Sequence, residues 1–236
     1  MKLRRLFPSS AFVLALLLLP LLGCPKAPSQ SPAPPPDLDE APSLGPGQSG
    51  SFDYYVLSLS WSPQFCQTRK FPPTDQQCGD GKRFGFIVHG LWPQYEKGYP
   101  ESCPSTYQLP DATVDKVLRM MPSQKLIRHE WEKHGTCSGL SAEQYFQQVE
   151  TVFAGLKIPS PYQSPTAPVV TSLAELKKSF LDANPQLAET SITAQCSGVY
   201  LREVRICLRK DLSPMPCGGF VRDSCKAPEV QLRPLR

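Results

Sequence analysis

The chain has 236 residues, enough for one domain with flanking segments. Hydrophobic residues make up 40% and charged residues 19%, which excludes a wholly disordered chain. The formal charge is +4, but Lys2, Arg4 and Arg5 lie in a leader; without them 22 basic residues face 21 acidic ones. That remainder lacks the basic excess of a protein that grips nucleic acid by charge alone.

The amino end is basic, and Ala11 to Leu22 is an almost unbroken apolar run of 12 residues. A spanning helix needs roughly 20, so the run has the size of a signal-peptide core. It ends in Leu21-Leu22-Gly23-Cys24, which resembles the bacterial lipobox. Residues 1–23 are therefore expected to be a signal peptide, with Cys24 lipidated. An ordinary cleaved signal is the alternative. Removing Cys24 from the nine cysteines leaves eight, an even set that reads as a disulfide framework in an exported chain. Spacing alone does not pair them. Residues 25–50 carry eight prolines, and the segment 24–50 is expected to be an extended tether. The sole asparagine, Asn184, precedes a proline, so no glycosylation sequon exists.

The ordered domain is expected over residues 51–236. Tyr55, Leu57, Leu59 and Trp61 alternate with Tyr54, Val56, Ser58 and Ser60, which predicts a strand. Phe84, Phe86 and Val88 alternate with Gly85, Ile87 and His89, predicting a second strand with His89 at its end. Asp111 is placed to cap a helix that Pro122 stops, and Ser123 to cap the next, running to His134 and Gly135. Ser141-Ala-Glu-Gln144 and Ser172-Leu-Ala-Glu175 read as capping boxes before two further helices. Val204, Ile206 and Leu208 alternate with Glu203, Arg205 and Cys207, predicting a late strand. The tail after Cys225 reads as a loose end. Strands, then helices, then strands imply an α+β fold.

The three histidines are His89, His129 and His134. On a helix, Glu130 and His134 share a face, as do His129 and Lys133, so an acid, an ammonium and two imidazoles project together. Two imidazoles can divide into a proton acceptor and a proton donor, and a lysine stabilises developing negative charge. The set suits in-line displacement at a phosphate by a 2′-hydroxyl, with no cofactor required. A zinc-protease His-Glu-x-x-His motif does not fit: its second ligand position holds Lys133, and His134 is about 500° along the helix, roughly 140° from His129. A metal site built from Glu130, His134 and His89 stays open, as do packing or surface roles for the histidines.

Phe86-Ile-Val-His-Gly-Leu-Trp-Pro-Gln94 and His129-Glu-Trp-Glu-Lys-His-Gly-Thr-Cys137 resemble the two catalytic segments of the ribonuclease T2 family. Phe52–Trp61 is similar to the family's first strand and Leu201–Cys207 to its late strand, so the resemblance covers roughly residues 51–225. It implies an α+β fold, with a central antiparallel sheet flanked by helices and stapled by disulfides. It implies a metal-independent endoribonuclease that cleaves single-stranded RNA through a 2′,3′-cyclic phosphate and then hydrolyses it, with low base specificity.

By the same resemblance, His134 is the general base and His89 the general acid. Glu130 and Lys133 polarise the phosphate and stabilise its pentacoordinate state, and His129 binds phosphate. Trp92 stacks on a base and Gln94 occupies a base-reading position. Trp131 and Trp61 read as core. The implied bridges are Cys66–Cys78, Cys103–Cys137, Cys196–Cys225 and Cys207–Cys217. The expected partners are the RNA substrate and, through Cys24, a membrane; no protein partner is implied and a monomer is expected. The expected place is the bacterial cell envelope as a lipoprotein, with a periplasmic or secreted soluble protein as the alternative. The rival readings are a binding protein that keeps the groove without cleaving, a metal-dependent phosphodiesterase, and a surface adhesin.

Overall fold

The computed structural model describes residues 42–235. The leader, Cys24 and the first part of the tether lie outside the described residues. In chain order come β1 (Tyr54–Trp61), α1 (Ser62–Phe65), β2 (Phe86–Gln94), α2 (Asp111–Val117), α3 (Gln124–Lys133), α4 (Ala142–Ala154), β3 (Val169–Thr171), α5 (Leu173–Ala183), β4 (Ile192–Ser197), β5 (Tyr200–Leu208) and β6 (Val230–Leu232). The strands form one sheet in the order β2-β1-β5-β6-β3, with β4 also on β5. Every pairing is antiparallel except that of β5 with β6, which is parallel at Tyr200 and Gln231. The fold is α+β with a mixed sheet.

Alternation along β1 divides the sheet's two faces. Tyr55, Leu57, Leu59 and Trp61 enter the main core with Val204, Ile206 and Leu208 of β5. Helices close that face through Val114, Val117, Ile127, Trp131, Tyr145, Phe146, Val149, Leu176 and Phe180. Tyr54 and Val56 point the other way, into a small cluster with Trp92, Cys207 and Val221. The helix starts follow their caps. The Ser123 hydroxyl accepts from the Leu126 amide, and Ser141 and Gln144 form a reciprocal box. The Ser172 hydroxyl accepts from the Glu175 amide.

Three local expectations change. β2 begins at Phe86, leaving Phe84 outside it, but continues through Gln94. The tail after Cys225 is not loose: Val230 and Leu232 are fully buried on β6, and the Arg233 carbonyl accepts from the Trp61 indole. Its short alternation lets it extend the sheet and cover Trp61. Residues 42–50 are not a free tether end, because their backbone is used. The amides of Leu44 and Gly50 donate to the carbonyls of Tyr99 and Cys137, and Glu101 donates to the Gly45 carbonyl.

Four disulfides tie the loops to this frame: Cys66–Cys78, Cys103–Cys137, Cys196–Cys225 and Cys207–Cys217. Such a framework belongs to an oxidising compartment. No helix among the described residues is long and apolar enough to cross a membrane.

Candidate active site

A β-bulge aims the first histidine. In the β1–β2 ladder Ser58 faces Gly90 and Leu59 faces Val88, leaving His89 unpaired between them. An extra residue in one strand re-aims its side chains. Val88 and Leu91 both reach the main core, whereas Trp92 joins the opposite face. Gly90 leaves room there for the site, since a β-carbon would overlap the Glu130 carboxylate and the Trp92 indole nitrogen and force them to move.

The second group comes from α3. Ile127 and Trp131 anchor its core side, while Glu130 is 1% exposed and meets β2. His134 caps the helix, its amide donating to the Glu130 carbonyl. Lys133 is held at the rim by Glu101, 3.6 Å away, and its carbonyl accepts from the Ser102 amide. The Cys103–Cys137 bridge locks that loop to the turn after α3. His129 lies one position before Glu130 and is exposed.

The buried groups are densely linked. Trp92 Nε1 donates to Glu130 Oε2 at 2.7 Å, and Glu130 Oε1 lies 3.5 Å from His89 Nε2. The Trp92 ring centroid is 5.2 Å from that of His89 and 5.4 Å from that of His134. On the other side of His89, Nδ1 is 2.7 Å from Glu203 Oε1. Arg205 donates to Glu203 Oε2 from Nε at 3.0 Å and from an η nitrogen at 2.8 Å. The Arg205 guanidinium also sits 5.1 Å from the Trp92 ring centre. Residues from β2, α3 and β5 thus form a closed circuit around His89.

This environment drives the two histidines apart. Burial alone would lower His89, but Glu130 and Glu203 outweigh it and push the imidazole up to about 9. Burial and the nearby cations of Lys133, His89 and His129 hold His134 well below its usual 6.5. Partial desolvation beside the buried site, with Lys133, also lowers His129. Burial raises Glu130, opposed by His89, the Trp92 N–H and Lys133. Glu203 is desolvated too, yet Arg205 and His89 hold it well below the carboxylate range. At neutral pH His89 is therefore charged while His134 is neutral, the requirement for a donor and an acceptor.

The residues expected to meet a base are differently placed. Trp92 is 6% exposed and Gln94 4%. Gln94 donates to the neighbouring Pro93 carbonyl at 3.1 Å. With Tyr99, His134, Arg205, Val56 and Val221 they line a recess of about 20 Å³, little more than a water molecule fills. Tyr99, half-buried, has its ring 5.7 Å from His134 and under the Lys133 ammonium at 5.6 Å.

Sequence reading missed Tyr99, Glu203 and Arg205. For the last two a signal existed: they share a strand face with Cys207, and Cys207 is bridged to Cys217. That face is covered, so its charges are buried as partners. No three His, Cys, Asp or Glu side chains are grouped to hold a metal among the described residues.

The model of the ribonuclease T2 family matches residues 52–217, which contain every residue of this circuit. The chain belongs to the ribonuclease T2 family. This T2-type endoribonuclease is 35% identical to a ribonuclease of Aeromonas hydrophila over 203 residues, 80% of this chain and 89% of the relative. It is 34% identical to a probable ribonuclease of Haemophilus influenzae over 74% of this chain, spanning 64% of that protein. Solved folds agree. An RNase-related protein from Calystegia sepium superposes with a TM-score of 0.63 at 23% identity, over 78% of this chain and 98% of that one. RNase NT in complex with 5′-AMP superposes with a TM-score of 0.59 at 22% identity, over 78% of this chain and 99% of that one.

Proposed function

We propose that this T2 ribonuclease cleaves single-stranded RNA without a metal ion, by transphosphorylation and then hydrolysis, with His134 and His89 as the proton-transfer pair. The observation that carries this is the opposed bias of the two imidazoles across Trp92 and Glu130. Neutral His134 takes the proton of the 2′-hydroxyl. The 2′-oxygen attacks phosphorus, the bond to the 5′-oxygen breaks, and charged His89 protonates that leaving oxygen. The product is a 2′,3′-cyclic phosphate. In the second step the roles reverse: His89 takes a proton from water, the cyclic ester opens, and His134 protonates the 2′-oxygen to leave a 3′-phosphate.

In this reading the phosphate sits beside Glu130, Lys133 and His129, where a cationic donor such as Lys133 stabilises the charge that builds on its oxygens. Trp92 acts through Glu130, and Tyr99 supplies the more accessible aromatic face for a base. A base stacked directly on Trp92, or read by Gln94, requires the recess to open. We read residues 1–23 as the signal peptide, Cys24 as a lipidated anchor and the following segment as the tether to an envelope-facing domain; sequence alone supports this.

A DNA oligonucleotide carrying one ribonucleotide tests the chemistry. In excess EDTA it should be cut once, on the 3′ side of the ribose, while the all-DNA strand survives. Cleavage at deoxynucleotides, or only with added metal, would overturn the reading.

A further inference from the structure

We propose that Glu203, clamped by Arg205, is a positioning residue for His89: it tethers Nδ1, so that Nε2 carries the transferable proton and faces the scissile phosphate. Glu203 is ionised and can only accept, so its 2.7 Å partner, His89 Nδ1, must bear a hydrogen. That hydrogen bond fixes the ring's rotation and leaves Nε2 as the working nitrogen. The tether is needed because His89 stands on a bulge, outside the ladder that would otherwise orient it, with a third of its side chain open to water.

Glu203 is itself held rigidly. It is 4% exposed on β5 and takes two hydrogen bonds from Arg205, two residues along the same strand face. Arg205 prevents the carboxylate from being a bare buried charge and sets how strongly it holds the proton on His89. His89 is faced by Glu203 and Arg205 from β5, and by His129, Glu130 and His134 from α3 and its end, with Lys133 acting on those three. Of these, Glu203 has the shortest contact with the ring.

The inference rests on His89 being the acid of the first step, and the test separates the two. Imidazole carbon–hydrogen NMR signals of the three histidines are titrated in the wild type, Glu203→Gln and Arg205→Gln. The rate is followed against pH in parallel. Glutamine keeps an acceptor for Nδ1 but removes the charge, so His89 should titrate at least one pH unit lower and the alkaline limb of kcat should move with it. Arg205→Gln removes a cation, so both should move the other way. A merely structural role predicts loss of folded protein or of rate, with no opposed shifts. If His89 titrates unchanged in both folded variants, the tether is refuted. If NMR shifts appear while the alkaline limb stays fixed, His89 is not the acid and the catalytic half of the proposal is overturned.

Discussion

Replacing Trp92 with phenylalanine removes one N–H and keeps most of an aromatic ring. The lost donor is 2.7 Å from Glu130 Oε2, and the two residues are 6% and 1% exposed, so water does not readily replace it. A hydrogen bond to a charged group is worth about 1.5–3 kcal/mol. If the transition state uses an aligned Glu130, that converts to roughly 10- to 150-fold in kcat. The assay is steady-state cleavage of a short fluorogenic RNA by the wild type, Trp92→Phe, Glu130→Gln and the double variant. Trp92→Phe should lower kcat with little change in KM, and should cost much less once Glu130 is already glutamine. A base-stacking role predicts little loss of either constant, because phenylalanine still stacks. A loss confined to KM, or an equal loss in both backgrounds, would refute the reasoning.

Gly90→Ala places a methyl group against the Glu130 carboxylate and the Trp92 indole; activity should fall about 100-fold, the scale of an ångström-sized misplacement, while circular dichroism shows a folded protein. Wild-type activity in that variant would contradict the close packing around His89. Replacing Cys103 and Cys137 together with serine opens a bridge of sequence separation 34 and should cost about 4 kcal/mol, read as a lower urea midpoint. Folding stability should fall on both sides of pH 6.5. Below it, the unfolded chain takes up a proton that buried His134 resists. Above it, the folded state retains the His89 proton until about pH 9, so that stabilisation is lost as pH rises through this window. For a side chain one-third exposed, screening leaves about 1–2 kcal/mol of the His89 effect. Urea midpoints measured against pH should show it, and His89→Ala should flatten the alkaline side.

The scaffold was legible where local pattern decides the element. β1 alternates without interruption, and Ser123 and Ser141 cap their helices through their own hydroxyls. The i, i+4 spacing of Glu130 and His134 puts both at the site because α3 buries one face and ends there. Legibility failed where tertiary contact decides. Strict alternation would put Val88, Gly90 and Trp92 on one face, and only the bulge at His89 sends Val88 to the core and Trp92 to the site. β3 and β6 have three residues each, too short an alternation to stand out in the sequence, and are fixed by pairing with each other and, for β6, with β5. Glu203 and Arg205 look like the solvent side of a strand until the second small core covers them.

The measurement that bears most directly on the central claim is mass spectrometry of the ends formed when the oxidised protein cleaves a short single-stranded RNA in excess EDTA. Early time points should carry 2′,3′-cyclic phosphate ends that later become 3′-phosphates. Neither should form with His134→Ala or with His89→Ala. Direct formation of 5′-phosphate and 3′-hydroxyl ends, or undiminished cleavage by either histidine variant, would contradict the two-histidine account.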